Sequence, residues 1–327
     1  MTDFVITPYH PSMNEEWNEF LTHVRQNTFL FNRNFMDYHA DRFHDTSLII
    51  RTAHGHPAAL LPANRCPSDK RIVQSHGGLT YGGLLTPSSA STSDIGRMFQ
   101  LCANHYAHKG YIQMDYKPVP HIYHAYPAEE DLYWLHRMGA TLSSRAISSA
   151  IYLPEPLPLS TLRRRKARKA ERTSALTVST SMDHLSGYWE VLTNVLLTRH
   201  DTRPVHSLIE ITQLANAFPS SIQLFTALTS NGDIAAGCVL FITSKVVHIQ
   251  YIAASDEGRA LGALDWLFQH IIDHAREHYP NAVYLDFGIS TEQQGLVLNE
   301  GLIFQKEGFG ARGVCYDAYS LPLAPFS

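Results

Sequence analysis

The apolar positions of this chain alternate over short stretches and recur at helical spacing over a few longer ones. Ranges 47–52 and 58–62 read as strands around the turn 54–57, and 78–85 as a third. From 93 to 109 the residues Ile95, Met98, Phe99, Cys102 and Tyr106 repeat as one helix face. A strand at 111–116, a helix at 129–138 and a strand at 147–153 complete the first half. The second half gives the same order. Strand 222–228 meets Ser230-Asn-Gly-Asp233, a hairpin signal, and strands 234–243 and 246–253 follow. A helix at 260–277 sets Leu261, Leu264, Leu267, Phe268, Ile271, Ile272 and Ala275 on one side. Strand 282–287, a short helix ending near Gly301, a glycine-punctuated loop and strand 314–321 close the chain. Two halves with one element order imply duplicated domains. Pro154-Glu-Pro-Leu-Pro158 marks the joint, dividing 1–155 from 156–327. The fold class expected is α/β with a mixed, α+β sheet, built as two domains in tandem.

Composition narrows the class. The chain has 327 residues, 44% of them hydrophobic and 17% charged, which is ordinary for a globular protein. Its net charge of -4 gives no global attraction to nucleic acid or anionic lipid. The first residues lack a signal peptide's basic head and apolar run, and no apolar span reaches membrane-crossing length. Four cysteines without CxxC spacing read as free thiols, so a cytoplasmic location is expected.

Candidate chemistry collects at the carboxyl end of one strand, where ligands bind in open α/β sheets. In Tyr284-Leu-Asp-Phe-Gly-Ile-Ser-Thr-Glu and the segment to Gly310, the groups Asp286, Ser290, Glu292, Asn299, Lys306 and Glu307 all fall near that mouth. In the first half, Ser75-His-Gly-Gly-Leu-Thr-Tyr-Gly-Gly83 offers His76 and Tyr81 on a loop whose glycines let backbone approach a ligand. Lys117 and His121 occupy the equivalent mouth there. The basic run 163–172 reads either as a solvated helix face or as a clamp for a polyanion. His248 reads as a half-buried strand imidazole, and Glu210 as the far half of a capping box with Ser207. The pattern His274-Ala-Arg-Glu-His278 matches a zinc motif but closes an amphipathic helix, so no metal is expected.

The order hairpin, strand, helix, strand, helix, strand resembles the GNAT acyltransferase fold. Doubled, it resembles the Fem-type (FemAB-like) branch of the acyl-CoA N-acyltransferase superfamily. The resemblance is carried by Arg165-Lys-Ala-Arg-Lys-Ala170, Arg199-His200, Ile234-Ala-Ala-Gly237, Ile249-Gln-Tyr-Ile-Ala-Ala254 and the Asp286 to Gly310 segment. It implies transfer of an acyl group, acetyl in the first instance, from acyl-CoA to a small-molecule amine, with a nucleotide-linked sugar among the acceptors considered. It places the donor on Ile252, Ala253, Ala254, Arg259, Ala260, Gly262, Ala263 and Asn299. Here Leu264 replaces the usual final small residue of the phosphate loop, and Asp256 and Glu257 precede it. Deprotonating an amine of pKa about 10.4 at pH 7 costs upwards of about 4 kcal/mol, so a base is needed. Glu292 is the first choice, with His200 beside it; Tyr251 and Tyr316 are the candidate proton donors to the leaving thiolate. Substrate contacts fall to His76, Tyr81, Lys117, His206, Asp286, Ser290 and Lys306. Two alternatives stand: aminoacyl-tRNA as donor to a cell-wall precursor, and a non-catalytic binding module.

Overall fold

A computed structural model describes residues 3–323 apart from 174, and its chain divides into two compact units. The first holds the described residues up to Ala146, with Glu292–Val297 and the chain from Cys315 onward. The second holds Ile147–Thr291 and Leu298–Val314. Among the described residues no helix is long and apolar enough to cross a membrane. All four cysteines are free; Cys66, Cys102 and Cys238 are buried and Cys315 is exposed.

In the first unit, Phe4–Pro8, Leu48–Thr52 and Pro57–Leu61 form an antiparallel sheet. Helix Thr92–His108 packs Ile95, Met98, Phe99, Cys102 and Tyr106 into the core, the face that the periodicity marks. The strand expected at 78–85 is absent. Ile72–Gln74 instead pairs in parallel with Gln113–Tyr116. The glycines explain the difference: at Gly82 an added Cβ would lie 1.9 Å from the Ser75 carbonyl oxygen, so the segment is threaded through backbone and not built into a ladder.

In the second unit the strand order is 147–152, Tyr284–Ile289, Val246–Ala254, Ile234–Ile242, Ile222–Leu228 and Thr177–Ser179. Apart from the parallel pair Val246–Ala254 with Tyr284–Ile289, neighbours here run antiparallel. One face is covered by helices Thr161–Thr173 and Ala263–His278, which bury Ala167, Ala170, Leu267, Phe268, Ile271 and Ile272. The other face meets helix Leu185–His200 through Trp189 and Tyr251.

The two closing strands trade places. Residues 147–152 pair within the second unit against Tyr284–Ile289, whereas Tyr319–Pro322 of strand Arg312–Pro322 pairs within the first against Gln113–Tyr116. The crossover helix expected at 260–277 is broken in two. Asp256–Leu261 ends at Gly262, which is left-handed (φ 79°), and Ala263–His278 begins there. The short helix near Gly301 lies further on, at Glu300–Glu307, because Asn299 caps its start by accepting from the Leu302 amide at 3.0 Å.

Two glycines test this packing. An added Cβ at Gly258 would stand 1.8 Å from the Ala235 carbonyl oxygen, so Gly258→Ala should lower unfolding free energy by about 2 kcal/mol or more. At Gly301 the nearest atom is 3.8 Å away, and Gly301→Ala should be neutral or gain about 0.5–1 kcal/mol in the same urea titration.

Candidate active site

The chemistry of the second unit starts from a short parallel pairing. Val246, Val247 and His248 sit opposite Tyr284, Leu285 and Asp286, and the register ends there. This puts His248 beside Asp286, whose carboxylate is fully buried. His248 Nδ1 lies 2.8 Å from Asp286 Oδ2, and Ser148 Oγ donates to Asp286 Oδ1. A carboxylate only accepts, so Nδ1 carries the proton and Nε2 is left with its lone pair. An imidazole in this tautomer presents Nε2 as a hydrogen-bond acceptor. Gly288 (φ 74°) lies at the register shift between Asp286 and Ile289, and an added Cβ there would stand 3.4 Å from His248 Cε1.

Past His248 a register shift sets Val239 opposite Tyr251 and Leu240 opposite Ile249. The extra residue, Gln250, is a bulge that turns Tyr251 onto the His248 side of the sheet. There the Tyr251 hydroxyl meets His206 Nδ1 at 2.5 Å, and Trp189 stands edge-on at 5.0 Å. His206 is held in place by the helix that follows it, where Ser207 and Glu210 form the capping box read from the sequence.

Lys306 is 4% exposed and donates to the Gly288 and Ile289 carbonyls at 2.7 and 2.9 Å. Burial pushes its ammonium down to about 8, against the pull of Asp286. Ser290 lies beside it, buried, its amide donating to Ile147 and its carbonyl accepting from Asn299. Asp286, Ser290 and Lys306 are therefore brought to one strand mouth.

A cavity of about 390 Å³ opens at the end of strand Val246–Ala254, lined by Ile252, Ala253, Ala254, Gly258, Arg259, Gly262 and Leu264. Ala260 and Ala263 are not among the lining residues, and Asn299 uses its carboxamide oxygen as a helix cap. Arg163, Lys166 and Arg199 add cations that the loop pattern alone did not supply. Helix Ala263–His278 has no side-chain cap, which leaves its first amides pointing at an end with positive partial charge. Asp265 in that first turn is neutralised by Arg163 at 2.8 Å. Asp256 and Glu257 belong to the first turn of the separate helix Asp256–Leu261, and Asp256 is bound to Arg259 and Arg199 at 2.6 and 3.3 Å. Leu264 lines the cavity wall.

The remaining expected residues are elsewhere. Glu292 is exposed and falls with the first unit, as does Tyr316, whose hydroxyl bonds Tyr123 at 3.0 Å. The side chain of His200 lies outside the described residues. In the first unit Tyr81 is packed against Phe31 and Tyr123, and Lys117 donates to the Leu79 carbonyl, with burial lowering it to about 8. His76 is buried in a left-handed conformation (φ 65°). His248 is the half-buried strand imidazole read from the sequence, but the sequence did not show its carboxylate partner. Its partner is 38 residues away, and only the strand register reveals the pair.

Residues 161–293 match the acetyltransferase (GNAT) domain family. No curated protein is similar enough in sequence to match. FemX has a similar structure, with a TM-score of 0.70 and 12% identity over 97% of each chain. The C-terminal domain of a putative lysylphosphatidylglycerol synthetase from Agrobacterium fabrum gives 0.61 and 14%, covering 95% of this chain and 92% of that one. A tandem GNAT protein from the clavulanic acid biosynthesis pathway gives 0.54 and 11%, covering 99% and 100%.

The Lys306 environment makes a stability prediction. Its folded value of about 8 lies below the ordinary 10.5, so between these the unfolded chain binds more protons and stability rises with pH. In urea titrations the wild type should gain on Lys306→Met as pH climbs through that window; a flat difference would show that the ammonium is not desolvated.

Proposed function

From a chain that carries a GNAT acetyltransferase domain in a Fem-type tandem fold, we propose an N-acyltransferase that takes its acyl group from a coenzyme A thioester and gives it to an amine. The observation that carries this reading is the cation-lined cavity at the uncapped start of Ala263–His278, beside the strand end Ile252–Ala254. Phosphates suit such a place, because helix amides and Arg or Lys side chains converge on it. The carboxylates at 256–257 belong to the first turn of another helix, and Asp256 is matched by Arg199 and Arg259.

In this reading the diphosphate of the donor sits against Lys166, Arg199 and Arg259, and the acyl carbonyl lies along Tyr251 to Ala253. Beyond His248 that strand has left Tyr284–Ile289, so its backbone amides can meet a developing oxyanion. The neutral amine attacks the thioester carbonyl, and His248 Nε2 takes the proton that the nitrogen sheds as the N–C bond forms and the C–S bond breaks. In this reading His248 takes the role expected of Glu292 from the sequence, since the Asp286 carboxylate orients the imidazole. Tyr251, on the same face as His248, supplies a proton to the leaving thiolate. Asp286 is then a positioning residue, not a substrate contact.

A second reading has its own support. Arg164, Arg165, Lys166, Arg168, Lys169 and Arg172 are all exposed along helix Thr161–Thr173, a row that suits the backbone of an aminoacyl-tRNA donor. The two donors separate experimentally. Acetyl-CoA should raise the melting temperature by several degrees at about 100 times its Kd, worth about 2.7 kcal/mol, and Lys166→Ala with Arg199→Ala should abolish the shift. If acetyl-CoA gives no shift while tRNA is retained at low salt and released steeply as salt rises, the donor is RNA. Silence from both would remove the donor-site reading altogether.

A further inference from the structure

The first unit contains a cavity of about 420 Å³ whose lining has the opposite character. Tyr9, Met36 and Phe43 give it apolar walls and ring faces, and Asp37, Asp45 and His76 give it polar groups; none of its lining residues is Lys or Arg. Arg33 lies beneath, fully buried and stacked on Tyr9 at 3.4 Å and Trp17 at 4.1 Å from the ring centroids. Its guanidinium bonds Asp45 and stands 3.6 Å from Asp37. One cation thus faces two carboxylates, and the site is left with one uncompensated negative charge.

Two further facts fit that deficit. Burial raises the Asp37 carboxyl, with Arg33 opposing and Asp45 adding to the rise. His76 is 4% exposed, lines the cavity, and its Nδ1 has no hydrogen-bond partner in the protein. Burial lowers this imidazole to about 3, so near pH 7 it is neutral and offers a hydrogen bond without charge. A phosphate-bearing ligand would meet carboxylates here. A cation would meet carboxylates and aromatic faces together.

We propose that this pocket binds an organic monocation, its ammonium set at Asp37 and Asp45 and its apolar body against Tyr9 and Phe43, with His76 as an additional hydrogen-bonding group. The pocket lies wholly within the first unit, so the proposal does not rest on the acyl-transfer reading.

The test uses the full chain and calorimetric titration with two amines and their neutral counterparts, benzylamine against benzyl alcohol and glucosamine against N-acetylglucosamine. At least one amine should bind at least about tenfold tighter than its neutral counterpart, a difference of about 1.4 kcal/mol. Asp37→Asn should cut that binding by a similar factor. Asp37 is chosen over Asp45 because its side chain is 43% exposed, while Asp45 bonds the buried Arg33. The comparison of amine with neutral counterpart is made on the wild type, and so stands even if a variant fails to fold. Equal binding of charged and neutral probes, no binding of either amine at about 10 mM, or undiminished binding by folded Asp37→Asn would each overturn the proposal.

Discussion

Three residue pairs between Val246–Ala254 and Tyr284–Ile289 are the constraint on which the second unit's chemistry depends. A parallel register that begins at Val246 and Tyr284 sets His248 against Asp286. Placing a carboxylate at zero exposure costs several kcal/mol unless donors meet it. Ser148 and His248 are those donors, so the interaction that makes the strand pair tolerable also fixes the tautomer of the imidazole. The later residues of Val246–Ala254 pair with Ile234–Ile242 on one side, and had the parallel pairing run further, the amides on the other side would have been spent as well. Because it stops, they remain beside the cavity that Ile252, Ala253 and Ala254 line.

Charge in the second unit is arranged by the same economy of position. The helix of 163–172 is neither wholly solvated nor wholly a clamp: Arg163, Ala167 and Ala170 are buried while the cations between them are exposed. Arg163 compensates Asp265 in the first turn of Ala263–His278, and Gly262 supplies the left-handed residue that starts that helix afresh. An added Cβ at Gly262 would stand 3.1 Å from the Lys166 carbonyl oxygen, so the basic helix and the Gly262 turn approach each other closely through backbone. The first unit's cavity has carboxylates and rings where the second unit's has cations and helix amides.

Local pattern was legible where local physics decides. The buried face of Thr92–His108, the hairpin at 230–233 and the Ser207 capping box are each set by residues a few positions apart. Asp286, Ser290 and Lys306 could be grouped because they follow one strand. What escaped was non-local. That Tyr319–Pro322 returns to Gln113–Tyr116 is a matter of which edges need partners, and no alternation of apolar residues encodes it. Helix Glu300–Glu307 was obscured by Gly301 and Gly308, although Asn299 is a cap signal in plain view. His248 looked bland because a strand histidine gains its meaning only from the neighbour across the sheet.

The proposed role of His248, oriented by Asp286, is to accept the proton of the attacking amine. The direct measurement is the rate of thiol release from acetyl-CoA in the presence of an amine acceptor, for the wild type and for His248→Ala, with and without added imidazole. The account predicts a fall of about 10²- to 10⁴-fold in His248→Ala, partly restored by imidazole. A variant that turns over as fast as the wild type would contradict it.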